Sequence, residues 1–340
     1  MGDKMDLAVD VVALKGTYEQ VGFKQGQDWK RDERIEFTQE MTKHCDVNET
    51  KSRLMEYMPF LLEELKGVAA GLGMKEDMAI RMFSGFDVTF PQMGCTAFAS
   101  ETFYVRNYDF SPELYDARFV FCNPDDGYAS VGFSQQMIGR LDGMNEKGLI
   151  VGLHLVNERH HRTGFLGTTI VRMILDQCAT IQDAVHLLQN IPHGYCYNYS
   201  IMDRSGESVV IEASPNHQVV RSQNQVMCTN HFEMDVLREN NRPEISQSKT
   251  RLNHLEHLPK QKLTPLLAYQ LFNEEESPFF FKDYQEYFGT MHTVVYDPMN
   301  LSVTVGIGGD CEPFEFSLKG WVVGDIELPN VINGVFDFSR

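Results

Sequence analysis

No basic run appears anywhere in the 340 residues, and no apolar run approaches the ~20 residues that a membrane-crossing helix requires. The formal net charge is −18, the pI is about 5.0, and Lys and Arg are scattered. Those absences argue against nucleic acid and against anionic membrane surfaces as partners. A secretion signal is not expected either, because MGDKMDLAVDVVALKG carries acids where an apolar core would stand. Cysteine is sparse and odd in number: Cys45, Cys95, Cys122, Cys178, Cys196, Cys228 and Cys311. That usage fits free thiols in a reducing cytoplasm better than a disulfide framework. Gly306-Ile307-Gly308-Gly309 lacks the Lys-Ser/Thr of a phosphate loop, and no cofactor is expected. Neither an internal repeat nor a low-complexity linker divides the chain, so a single domain over 1–340 is expected, with its oligomeric state, homo-oligomer included, left open.

What is present changes character at Gly94. LAVDVVAL (7–14) reads as a strand, followed by a Gly turn and a helix. Residues 49–72 read as one long helix, with Leu54, Met58, Leu61, Leu65, Val68 and Leu72 at helical spacing. A further helix starts at Glu76. Beyond Gly94 strands dominate: the pair 95–105, then 117–123, 128–138 and IVGLHLV (150–156). Two helices over 168–190 precede a second strand series from Tyr197 to Asn230. Helical patterning over 248–258 and 263–273 precedes MHTVVYDP and LSVTVGIG. Strands, a helical layer, more strands and a helical flank predict an α+β fold, two antiparallel sheets between helices in a four-layer αββα sandwich.

The stretch PQMGCTAFASETFYVRNYDF (91–110) carries the densest chemistry. Folded as an antiparallel pair, it returns Arg106 and Asp109 beside Cys95. A thiol near a guanidinium and an oriented acid is a setting for a nucleophile. A buried strand cysteine and a structural ion pair would produce the same pattern. A zinc-stabilised binding module is the rival, because His193-x-x-Cys196 and Cys228-x-x-His231 have knuckle spacing. Both cysteines lie on patterned strands with no Gly-rich knuckle following, so no metal is expected.

GCT followed by a hairpin ending in RNYDF resembles the choloylglycine hydrolases and the acyl-CoA:6-aminopenicillanate acyltransferase family, both N-terminal-nucleophile hydrolases. Y-E-x-x-G-x-x-x-G (18–26), N-E-K-G-L (145–149), the Asn198-Tyr199 strand, Thr229-Asn230-His231, Ser248-x-x-Arg251 and the closing T-x-V-x-D-P strand pair resemble family segments in order. The resemblance implies self-cleavage between Gly94 and Cys95, leaving a helical segment 1–94 packed on a catalytic chain 95–340. It implies Cys95 as nucleophile and thioester carrier, its freed amine as base, Asp109 as that amine's acceptor and Arg106 as the thiolate's support. Asn198 becomes an oxyanion donor, although a strand-end Asn is otherwise a turn residue. Arg251 becomes a site residue rather than a surface charge, Asn145 either a turn former or a cleft-lining residue, and Asn230 a substrate-side residue. The implied activity is a cysteine amidase or acyltransferase acting on small-molecule, non-peptide amides such as N-acyl amides, penicillins or conjugated bile salts. An uncleaved pseudo-enzyme that holds an apolar ligand is the remaining alternative.

Overall fold

Alternation along one strand shows how the layers arise. On Tyr104–Phe110, Val105 and Asn107 face a helical layer: Val105 packs with Leu252, Leu255 and Phe272, and Asn107 Nδ2 donates to the Phe272 and Phe279 carbonyls at 2.7 and 2.9 Å. Tyr104 and Arg106 face the opposite way, toward Ser200 and Asp142 of a second sheet. The computed structural model describes residues 4–29, 32–89, 92–222, 225–258, 263–284 and 288–337. Among them the strands form a ten-stranded and a seven-stranded sheet laid face to face.

The larger sheet runs in the order Gln218–Ser222, Ser208–Ala213, Cys196–Met202, Ile150–Asn157, Asp142–Asn145, Ser130–Gln135, Arg118–Pro124, Lys4–Gly16 and Val331–Asp337, with Gly139–Arg140 beside Ser130–Gln135. In the smaller sheet, Met227–Cys228, Gly94–Ala99, Tyr104–Phe110, Phe288–Asp297, Ser302–Ile307 and Phe314–Ser317 follow one another, with Lys282–Asp283 beside Phe288–Asp297. Helices Gly167–Gln177 and Ile181–Asn190 cover the outer face of the first sheet, and Ser246–Glu256 and Pro265–Asn273 that of the second. This is the four-layer αββα sandwich. No helix of the described residues is long and apolar enough to cross a membrane.

Three features differ from or sharpen the sequence reading. The expected 49–72 helix is two helices, Val47–Tyr57 and Phe60–Leu72. Pro59 offers no N–H to continue the first and drives Met58 out of the helical region, to φ −157° and ψ 75°. The sheets are not wholly antiparallel, because Lys4–Gly16 pairs in parallel with Arg118–Pro124 and lies inside its sheet, closed on the other side by Val331–Asp337. The N-terminal glycine motif serves packing. Helix Tyr18–Asp28 crosses Phe60–Leu72 so closely that a Cβ on Gly22 would stand 1.9 Å from the Glu64 carbonyl oxygen, and one on Gly67 2.0 Å from that of Glu19.

Beneath that crossing lies a buried ionic cluster. Arg172 reaches Glu64 with both terminal nitrogens, at 3.2 and 2.8 Å, and its Nε donates to Asp176 at 2.8 Å. Gln25 and Tyr18 donate to the same two carboxylates at 2.6 and 3.0 Å. Residues 1–94 are thereby tied to the rest of the chain by charge as well as by a sheet.

Candidate active site

Cys95 is the second residue of Gly94–Ala99 and is fully buried between the sheets. Its register partner is Tyr108, and Arg106 is the partner of Ala97, so the guanidinium rises diagonally beside the thiol. Arg106 Nη2 lies 3.0 Å from Cys95 Sγ and donates to the Leu153 carbonyl at 2.6 Å. Its Nη1 pairs with Asp142, a buried carboxylate that also accepts from Tyr296 at 2.6 Å and from His292 Nε2 at 3.3 Å. Burial opposes ionisation of Asp142, but Arg106 and these donors hold its carboxyl below the usual range. His292 is kept neutral by burial, so its Nε2–H donates to Asp142 while Nδ1 accepts from the Tyr115 hydroxyl at 2.8 Å.

The backbone of Cys95 is gripped from the other side. Its N–H donates to Asn230 Oδ1 at 2.8 Å, and its carbonyl accepts from Arg251 Nη1 at 2.7 Å. Arg251 also donates to Thr96 Oγ1 and Asn230 Oδ1, at 2.7 and 3.1 Å, so it is buried against the Cys95 strand and is not a surface charge. Asp109 lies on the face of its strand opposite Arg106 and is the register partner of Gly94. Its Oδ1 accepts from Thr290 at 2.7 Å, whereas Oδ2 has no hydrogen-bond partner and stands 3.7 Å from Arg251 Nη1. Burial pushes the Asp109 carboxyl up, against Arg251 and Thr290. Burial likewise pushes the Cys95 thiol up to about 11, with Arg106 and Arg251 pulling the other way.

Two expected positions fall elsewhere. Asn145 is a turn former: its amide donates to the Leu175 and Cys178 carbonyls at 3.0 and 2.8 Å, and its oxygen accepts from the Lys147 and Leu149 amides. Nothing of it is left for a substrate, which corrects the cleft-lining reading. Asn198 points at the same inter-sheet space as His154, its register partner, but both of its N–H groups are taken by the carbonyls of Thr229 and His231, at 3.2 and 2.9 Å. It braces the loop that presents Asn230.

Sequence reasoning missed Asp142, His292, Tyr296 and His154. His154 packs against the Cys95 backbone, and burial keeps it neutral. Each comes from a strand distant in sequence from Cys95, so no local spacing announces it. The two Cys/His pairs do not converge: Cys196 packs with Val156, Phe232 and Leu237, whereas Cys228 belongs to the main core. Among the described residues no three His, Cys, Asp or Glu side chains are gathered as a metal site.

Cavities adjoin the Gly94 end of the strand. A hollow of about 90 Å³ lies against Gly94, Asn230, Arg251 and Phe288. It shares Arg242, Glu244, Gln247 and Phe288 with an open cleft of about 760 Å³.

The acyl-coenzyme A:6-aminopenicillanic acid acyl-transferase family model matches residues 97–311, most of the chain beyond the thiol. No curated protein sequence matches. Among solved structures, the chain is similar to penicillin V acylase from Agrobacterium tumefaciens, with a TM-score of 0.41 and 16% identity over 66% of this chain and 86% of that one. A mutant conjugated bile acid hydrolase from Clostridium perfringens gives 0.41 and 10% over 67% and 93%. A Caenorhabditis elegans N-acylethanolamine-hydrolyzing acid amidase ortholog gives 0.41 and 13% over 60% and 93%. By the family match, which spans well over half of its length, the chain belongs to the acyl-coenzyme A:6-aminopenicillanic acid acyl-transferase family.

Proposed function

We propose that this protein is a self-processing cysteine amidase, or acyltransferase, for small N-acyl amides. The observation that carries the reading is the hold on Cys95 from three sides: Arg106 on the sulfur, Asn230 on the amide nitrogen and Arg251 on the carbonyl. Buried backbone groups need partners in any case, but a guanidinium set against the sulfur is not something a merely structural cysteine requires. In the intact chain the nitrogen held by Asn230 belongs to the Gly94–Cys95 peptide bond. Once that bond is cut it becomes an α-amine, whose ordinary pKa near 8 suits proton exchange with a thiol. Asp109 Oδ2, buried beside Gly94 and without a hydrogen-bond partner among the described residues, is an acceptor in waiting for the ammonium form.

Turnover then follows ordinary acyl-transfer chemistry. Cys95 Sγ adds to the amide carbonyl, the amine leaves with a proton from the Cys95 α-ammonium, and a thioester remains on Sγ. Water, or a second amine, resolves it. The oxyanion falls to Asn230 and His154, which stand next to Cys95, with Asn198 acting through the Asn230 loop. Cleft acids (Glu113, Glu158, Glu244 and Asp283, against Arg159 and Arg242) favour neutral or cationic amines as leaving groups. Seven free cysteines fit a reducing, cytoplasmic setting.

Intact-mass measurement tests the first step. Wild type is expected as two species, 1–94 and 95–340, and Cys95→Ala as one. A single full-length mass in turning-over protein ends the self-processing claim. A panel of N-acyl amides, penicillin V and conjugated bile salts beside casein tests the second. Proteolysis of casein without turnover of any small amide ends the amidase reading, and ligand binding without any turnover favours the pseudo-enzyme.

A further inference from the structure

Gly94 sits against a wall. An L-side-chain Cβ on Gly94 would stand 2.3 Å from Phe288 Cζ, and 3.0 Å from both Phe288 Cε1 and Asp109 Oδ2. The wall is braced. Phe288 packs edge-on to Phe281, with ring centroids 6.1 Å apart, and Phe281 lies under the Arg251 guanidinium at 5.0 Å. Phe281 is pinned in turn, its N–H donating to Thr290 Oγ1 and its carbonyl accepting from the Thr290 N–H, both at 2.9 Å. Asp109 is fixed by the Thr290 hydroxyl at 2.7 Å.

We infer that this wall sets the acyl specificity of the enzyme: it takes acyl groups whose α-carbon is a CH₂ and rejects those branched there in the sense of an L-residue. The inference rests on the proposed cysteine chemistry, because self-processing and turnover then pass through the same species. In processing, Sγ bonds to the Gly94 carbonyl carbon, the Gly94–Cys95 C–N bond breaks, and the nitrogen takes the thiol proton to become the α-amine. Residues 1–94 are at that moment an acyl group esterified to Cys95 Sγ. Water releases them as the Gly94 carboxylate and restores the thiol. In turnover the substrate's acyl group is esterified to the same sulfur, held by the same Arg106, so its α-carbon takes the place of Gly94 Cα. A branch on that carbon is the Cβ that Gly94 lacks. Overpacking a fixed wall by one methyl corresponds to about 10- to 100-fold in rate.

The test compares 4-nitroanilides of hexanoic and (R)-2-methylhexanoic acid on the processed enzyme. The (R) methyl occupies the L-Cβ position when the butyl chain replaces the Gly94 nitrogen. The branched amide is expected to have kcat/KM about 10- to 100-fold lower, and Phe288→Ala to narrow that ratio to within about threefold. Phe288→Leu, a milder cut, should narrow it part of the way. Independently, Gly94→Ala should remain one full-length chain by intact mass, and adding Phe288→Ala should restore its cleavage. Equal turnover of the two amides by wild type overturns the inference while leaving the amidase reading standing, as does an unchanged ratio in both Phe288 variants. A wild type that turns over neither amide and carries no acyl adduct on Cys95 overturns the amidase reading, and the inference with it.

Discussion

At Cys95 the intact chain holds its thiol in the protonated form, since burial outweighs the two guanidinium groups and pushes it up to about 11. What could later favour the thiolate is Arg106, and Arg106 is only as well placed as the carboxylate behind it. Asp142 affects the thiol in two opposing ways. Its charge raises the Cys95 pKa directly, and its grip on Arg106 lowers it indirectly. Asp142→Asn separates them. If orientation of Arg106 dominates, kcat falls at least about 10-fold and the acid limb of the kcat/KM profile moves to higher pH. Movement of that limb to lower pH, with kcat preserved, would show that only the charge of Asp142 matters. Circular dichroism and the urea midpoint of the variant distinguish either result from misfolding.

At the scale of elements, apolar, β-branched and aromatic residues on either side of Ser100-Glu101 made the hairpin legible, and the register that sets Arg106 beside Cys95 follows from the turn between them. The long N-terminal helix was misread because an apolar stripe at 3.6-residue spacing continues across Pro59 without registering the missing N–H. What the period could not reveal was contact between distant elements. Asn198 illustrates this, since its place at a strand start was visible but its grip on the Thr229 and His231 carbonyls was not. The two asparagines should therefore separate experimentally. Asn230→Ala removes the group that touches Cys95 and is expected to lower kcat about 10²–10³-fold at little changed KM, more than its lower urea midpoint accounts for, since the Cys95 N–H, Arg251 and the Leu155 carbonyl also lose a buried partner. Asn198→Ala loosens the loop and should lower the urea midpoint together with kcat. Loss of kcat in Asn198→Ala at undiminished stability would return the oxyanion role to Asn198.

The whole molecule should weaken in mild acid, because the fold keeps histidines neutral inside. Burial lowers both His193 and His231 to about 4, against an ordinary value near 6.5. The unfolded chain binds those protons first as pH falls, so the stability is fully present above about 6.5 and is lost progressively toward 4. Urea midpoints at pH 7.5 and pH 5 should differ accordingly, and His193→Gln should reduce the difference. The proposed cleavage raises a larger question, which is whether the segment ending at Gly94 would leave. The architecture argues that it stays. Lys4–Gly16 is flanked on both sides by strands from beyond Gly94, so its departure would open two ladders. The Gly22 and Gly67 crossing lies within the segment and keeps Glu64 aimed at Arg172, which lies beyond Gly94. Loss of a buried partner leaves an uncompensated charge, which costs about 3–5 kcal/mol. Processed wild-type protein is therefore expected to elute from native gel filtration with both chains in one peak and to separate only in denaturant. Glu64→Gln should lower the midpoint at which they separate while leaving cleavage at Gly94 complete. Native elution of 95–340 alone, still active, would show that the N-terminal segment is dispensable after processing and that the strand and the ion pair serve only the precursor.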